Sequence, residues 1–240
     1  MKDVYLSPST QEKNIGVAGY GTEERYANDI CDRVALILSN AGVKYKRNAP
    51  TMTLKEVVVD SNSQPYALHV AIHTNAMGGA SSGKARGCEV FVHTKTSPSM
   101  PFASNLYKRI SDITPVADRG IKEGIHHLAG GKPLYELAYT NAPSCLIEIA
   151  FHDNEADVLW LLGHKDDIAA AIAASILDYL GVPKVTALEH SLYVVNEAFR
   201  SKGVAELGVP YWKQNAVPGG ACNGEYVAMV LRRMEEYLKK

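Results

Sequence analysis

At 240 residues, with 46% apolar and 21% charged side chains, the chain can bury a full core and has room for one large domain or a domain with an appendix. Its 25 basic and 26 acidic residues leave a net charge of −1, and no Arg/Lys run is interleaved with aromatics, so the electrostatic footprint of a nucleic-acid binder is missing. No stretch approaches the roughly 20 apolar residues of a membrane helix. The N-terminus lacks the apolar core of a secretory leader, which predicts a chain made and held in the cytoplasm until something else releases it. The four cysteines, Cys31, Cys88, Cys145 and Cys222, form no C-x-x-C pair, against both a cysteine zinc site and a dense disulfide framework.

Residues 3–6 read as a short strand followed by a polar loop from Ser7 to Gly21. Thr22-Glu23-Glu24 opens a helix whose apolar positions, Ala27, Ile30, Val34, Leu36 and Ile37, recur at near-helical spacing until Gly42 ends it. A second strand is predicted over Val43 to Arg47, a helix over Thr53 to Asn62, and a strand over Leu68 to Ile72 that runs into a flexible Gly/Ser loop, Asn75 to Gly83. Cys88 to His93 alternates as a strand and Pro101 to Ile113 follows as a helix. Residues 119–140 read as irregular, with a short strand near Leu134. Leu146 to Ala150 is a buried strand, and Asn154 to Gly163 and Asp166 to Leu180 are helices.

Strands alternating with helices predict an α/β fold, a mostly parallel twisted sheet with helices on both faces. Gly181-Val182-Pro183-Lys184 interrupts the pattern and sets a boundary between a domain over 1–183 and a small C-terminal helical domain over 187–240. The latter reads as two or three helices around Val217-Pro218-Gly219-Gly220, with Tyr211 and Trp212 between them.

Two segments carry most of the chemical information. Ala71-Ile72-His73-Thr74-Asn75 and Cys145-Leu146-Ile147-Glu148-Ile149 are apolar runs that each deliver one polar side chain, an imidazole and a carboxylate. Buried strands present ligand-binding groups at a sheet rim in this way. A carboxylate in so apolar a run is costly to bury without a partner, which marks Glu148 for chemistry. With Glu24 at the opening of the first helix, these residues suggest a zinc hydrolase. A catalytic zinc takes about three protein ligands and leaves a position open, and hydrolysis needs a further carboxylate to accept a proton from water. Glu24 and His73 as ligands with Glu148 as base would leave one ligand missing. His69 cannot supply it, because four residues of strand hold it about 13 Å from His73. His152 stands in the same relation to Glu148 and is expected at the rim, where it could bond substrate. His126 and His127 read as part of a mobile surface loop.

The motifs Gly21-Thr22-Glu23-Glu24-Arg25-Tyr26-Ala27-Asn28, His73-Thr74-Asn75-Ala76, Gly87-Cys88-Glu89-Val90, Arg119-Gly120-Ile121-Lys122 and Leu146-Ile147-Glu148 occur in that order over about residues 3–182. Together they resemble the zinc-dependent N-acetylmuramoyl-L-alanine amidases of bacterial autolysins and phage endolysins. The resemblance implies Zn2+ held by Glu24 and His73, with Glu148 as catalytic carboxylate and peptidoglycan as substrate. It further implies cleavage of the amide between N-acetylmuramic acid and L-alanine. The chain departs from the family at the first ligand, a histidine in a Gly-His pair after the first strand. Here that stretch reads Leu6-Ser7-Pro8-Ser9-Thr10-Gln11-Glu12. Gln11 or Glu12 is the nearby oxygen donor, and position favours Gln11. With no secretory leader, the reading is a phage or prophage endolysin. A degenerate amidase that binds the wall without cutting it and a zinc peptidase of the stem peptide are the alternatives. The C-terminal helices are candidates for wall binding or for forming a homo-oligomer.

Overall fold

The computed structural model describes residues 3–116, 119–182, 187–208, 212 and 224–239. The chain divides into two compact units, Met1–Pro183 and Lys184–Lys240.

The first unit is built on a six-stranded sheet of β1 (Val4–Pro8), β2 (Tyr45–Arg47), β3 (Leu68–Asn75), β4 (Glu89–Val92), β5 (Ile121–Glu123) and β6 (Ser144–Phe151), in the order β2-β1-β3-β6-β4-β5. Every neighbouring pair is parallel except β4 with β6. The helices are α1 (Glu23–Asn40), α2 (Leu54–Ser61), α3 (Met100–Ser111), α4 (Tyr135–Tyr139), α5 (Glu155–Gly163) and α6 (Lys165–Leu180).

The two-residue period of the strands sorts the sheet into two unlike faces. Val4 and Leu6, Leu68, Val70 and Ile72, Cys145 and Ile147, and Val90 and Val92 share the large core cluster with the apolar stripes of α1, α3 and α6. The alternate residues, Tyr5 and Ser7, His69 and His73, Glu148, and Glu89, point to the other face. Its apolar patches are smaller: Ala71, Phe91, Leu137 and Leu146 in one, and Tyr5, Val57 and Tyr66 in another. One face therefore holds the domain together and the other is free to carry polar groups.

Local signals fix the helix ends. The Thr22 side chain caps α1 by accepting from Arg25 N at 3.3 Å. Thr53 and Glu56 form a reciprocal capping box on α2, satisfying donors that the first turn leaves open. Gly181, at φ 67°, ends α6 in a left-handed conformation that glycine adopts without a Cβ penalty. The segment before β6 differs from the sequence expectation. Instead of a strand near Leu134, Leu134 caps the five-residue α4, and the strand of this region is β5.

In the second unit, α7 (Ala187–Ser201) and α8 (Gly224–Lys239) contribute to a cluster of Leu192, Phe199, Val204 and Leu207 packed with Trp212, Met229, Val230 and Tyr237. Buried Asn196 ties it down, donating to Leu207 O at 3.1 Å and accepting from Leu207 N at 2.6 Å. Tyr211 and the Val217–Gly220 turn expected between the helices lie outside the described residues.

Candidate active site

The site forms where the carboxyl ends of β1, β3 and β6 meet the opening of α1, the position at which open α/β sheets bind ligands. Register brings its members together: His73 of β3 lies beside Glu148 of β6, and Glu148 beside Glu89 of β4.

Glu23, not Glu24, reaches His73. Glu23 Oε1 lies 2.8 Å from His73 Nδ1, and the residue is 2% exposed. Gln11 Nε2 donates to Glu23 Oε1 at 3.1 Å and Asn14 Nδ2 donates to Oε2 at 2.5 Å. The Glu24 carboxylate instead accepts from Asn28 Nδ2 at 2.9 Å, on its own helix. The reason is helical phase. Glu23, Tyr26, Ala27, Ile30 and Val34 form the buried stripe of α1, and Glu24 stands about 100° away from it. That stripe was available in the sequence; the G-x-x-E-x-x-x-N spacing pointed one residue further on.

The other edge of His73 faces a carboxylate that the sequence reading did not single out. Glu136 of α4 is 4% exposed, and its Oε2 lies 3.6 Å from His73 Nε2. Its Oε1 accepts from Ser7 Oγ and, at 2.9 Å, from His69 Nε2. His69 and His73 thus converge on one carboxylate. A lone acidic residue within Leu134-Tyr135-Glu136-Leu137 was the available signal, hidden by the irregular reading of that segment.

The charges follow from these contacts. Burial alone would raise the Glu23 carboxyl, but the bond to His73 and donors from Ser9 and Asn14 outweigh it and hold it below the usual range. Burial also opposes ionisation of Glu136, but the His69 and His73 imidazoles prevail and keep it ionised. Burial would strip His73 of its charge; flanking Glu136 and Glu23 reverse this and raise its pKa well above that of a free imidazole. Glu148 goes the other way. Burial pushes it up to about 8, and the nearby His73 only partly offsets that rise. Its Oε2 is buried and has no hydrogen-bond partner.

Two clefts meet at Gln11 and Glu148. One, of about 420 Å³, is polar and includes Asn14, Glu23, Asn75 and Asp153. The other, of about 310 Å³, is lined by Leu54, Val57, Leu134, Tyr135 and Leu146 together with His73 and Glu136. The Asn75–Gly83 segment, expected as a Gly/Ser loop, carries a short 3-10 turn at Gly79–Ser81 and is bonded to Asp153. Asp153 Oδ2 accepts from Met77 N at 3.0 Å, Gly83 N at 2.9 Å and Ser82 Oγ at 3.2 Å.

His152 is not a rim residue. It is fully buried, with Nδ1 2.9 Å from Thr74 Oγ1, and burial lowers its pKa. Its carbonyl accepts from Val17 N at 2.9 Å, anchoring the loop that carries Gln11 and Asn14. Gly16 permits that approach, since a Cβ there would lie 1.9 Å from the same oxygen. His126 and His127 are both exposed, as a surface loop predicts; His127 packs edge-on against Phe91 and lines the less polar cleft, and His126 Nδ1 lies 3.1 Å from Gly131 O. Among the described residues, no three His, Cys, Asp or Glu side chains form a metal-ligand group, and no helix is long and apolar enough to cross a membrane.

Residues 4–178 match the N-acetylmuramoyl-L-alanine amidase family. The chain is 27% identical over 184 residues to the N-acetylmuramoyl-L-alanine amidase LytC of Bacillus subtilis, covering 73% of this chain and 35% of that protein. It is 32% identical over 160 residues to an uncharacterized cell wall amidase of Bacillus anthracis, covering 60% of this chain and 27% of that one. It therefore spans only about a third or less of those two relatives. The fold is shared with the catalytic domain of CwlV, an N-acetylmuramoyl-L-alanine amidase from Bacillus (Paenibacillus) polymyxa. That match has a TM-score of 0.65 at 22% identity, over 76% of this chain and all of the other. The catalytic domain of the CD27L endolysin, which targets Clostridia difficile, superposes with a TM-score of 0.60 at 18% identity, over 78% and 100%. On the family match across most of its length, the chain belongs to the N-acetylmuramoyl-L-alanine amidase family.

Proposed function

We propose that the chain hydrolyses the amide between N-acetylmuramic acid and L-alanine in peptidoglycan, with a zinc ion held by Glu23, His73 and the Gln11 amide. The observation that carries this reading is the buried approach of Glu23 Oε1 to His73 Nδ1, with Glu148 in the neighbouring register position. Two ligand atoms on one tetrahedral zinc stand about 3.3 Å apart, given bonds of roughly 2.0–2.1 Å. The observed 2.8 Å is close to that separation, so a small parting of the pair would admit the ion. Gln11 already touches Glu23, and a half-turn of its amide, whose oxygen and nitrogen are nearly indistinguishable in shape, aims the oxygen at the same point. A neutral amide is a weaker zinc ligand than imidazole, so affinity is lower here than with a histidine in its place.

Zinc bound there supplies a Lewis acid that polarises the scissile carbonyl and acidifies water. Glu148 takes the proton of the attacking water on Oε2, the oxygen with no other partner, and returns it to the alanine nitrogen as the carbon–nitrogen bond breaks. Asn14 holds the Glu23 carboxylate in place. An amide lying between Gln11 and Glu148 extends one arm of the substrate into each cleft.

Purified peptidoglycan exposed to the protein is expected to gain new L-alanine amino termini, to stop gaining them with chelator, and to resume on addition of zinc. Binding without release would instead favour the wall-binding alternative, and new termini other than L-alanine would favour a stem-peptide peptidase.

We further propose that the C-terminal unit self-associates. Val227, Leu231, Met234 and Leu238 are 42%, 61%, 48% and 78% exposed and follow one another at spacings of four, three and four along α8. That is the seam of a two-stranded coiled coil. Met229, Val230 and Tyr237 pack into the unit instead. Sedimentation equilibrium is expected to show a dimer that Leu231→Glu with Leu238→Glu converts to monomer; a wild type that stays monomeric at every concentration refutes it.

A further inference from the structure

The buried chain Ser61–His69–Glu136 stands behind His73 and takes no part in the hydrolysis described above. We propose that Glu136 is a positioning residue, holding the Nε2 proton of His73 so that the opposite nitrogen, Nδ1, is the one offered to a cation beside Glu23. This inference rests on the metal-centre reading.

The hydrogen bonds fix which groups donate. An ionised carboxylate only accepts, so the Nε2 of His69, 2.9 Å from Glu136 Oε1, carries a proton. His69 Nδ1 lies 2.8 Å from Ser61 Oγ, so both edges of the ring are held. Tyr5 stacks on the His69 ring, with centroids 5.3 Å apart and planes 8° from parallel, which fixes its orientation. Ser7 Oγ adds a second donor to Oε1. Both donors fall on one oxygen, leaving Oε2 turned to His73 Nε2 at 3.6 Å, and that nitrogen is buried with no other partner. A shift of about 0.6 Å closes a hydrogen bond of ordinary length. The Nδ1 edge meanwhile faces Glu23 at 2.8 Å. A carboxylate on the far nitrogen of a metal-binding imidazole fixes its tautomer and ring orientation and raises its basicity as a ligand.

The isosteric variant Glu136→Gln separates this role from packing. Its amide oxygen stays at the Oε1 position to keep Ser7 and His69, so its NH2 group takes the Oε2 position and turns a donor toward a nitrogen that must also donate. Zinc affinity, read by competition with a chromophoric chelator, is expected to fall 10–100-fold, the usual cost of losing such a partner. The zinc-free variant should lose stability at neutral pH, because the charge that His69 and His73 hold on Glu136 is gone, so zinc affinity is compared at a temperature where both proteins are folded.

Nitrogen-15 spectra of histidine-labelled wild type should show an exchange-protected Nε2–H on His73 both with and without zinc. Zinc binding by Glu136→Gln within twofold of wild type, or a wild-type His73 lacking that proton, overturns the proposal. If the variant fails to fold, the wild-type spectrum decides alone. If wild type takes up no zinc, the metal-centre reading falls while the Nε2–H signal still decides whether Glu136 holds the imidazole.

Discussion

Glu148→Gln is expected to lower amide hydrolysis by about 10²–10⁴-fold, the contribution of a positioned general base, while leaving peptidoglycan binding in place. The same substitution should stabilise the zinc-free protein at alkaline pH. Burial lifts the Glu148 carboxyl to about 8, above its unfolded value near 4.5, so the folded state holds on to a proton that the unfolded state has released. Wild type therefore loses stability as pH rises from about 5 toward 8, and a neutral amide at this position escapes that loss. The gain should be about 1–3 kcal/mol at pH 9 and close to nothing at pH 4, read from denaturant midpoints at the two pH values. Activity should rise with pH along the acidic limb, because the base works only when ionised. A variant that is inactive yet gains no stability at pH 9 would show that Glu148 ionises freely in the folded protein.

Glu23→Gln and Glu24→Gln, neighbours in sequence, should behave oppositely. Glu23 is buried against His73 and held by Gln11 and Asn14, so losing its charge removes a metal ligand. Lewis-acid stabilisation is worth several kcal/mol, and about 3–4 kcal/mol corresponds to a 10²–10³-fold fall in turnover. Zinc content at micromolar free metal should fall in parallel. Glu24 bonds to Asn28 on the flank of α1 and contributes only as a first-turn carboxylate, about 0.3–1 kcal/mol of stability. Its variant should retain zinc and turn over within about twofold of wild type. The reverse pattern in metal content would move the ligand to Glu24 and require α1 to rotate by about 100° about its axis.

What the sequence determined by itself is the architecture and the position of two polar groups, His73 and Glu148, that the sheet register sets side by side. Alternating strands and helices gave the α/β sheet, because periods of 2 and 3.6 are written directly into the apolar positions. His73 and Glu148 were legible because each is a polar side chain in an apolar strand run, where burial without a partner is costly. The tertiary structure alone decided the partners. Whether Glu23 or Glu24 faces the site depends on the phase of α1 against the sheet. That Glu136 lies beside His73 and His69 depends on a five-residue helix folding back 63 positions after His73 in the chain, a proximity that no local pattern encodes. His152 was misjudged for the same reason. Its strand residue spacing was read correctly, but the Gly16 backbone closes over it, and such coverage exists only once the chain has folded.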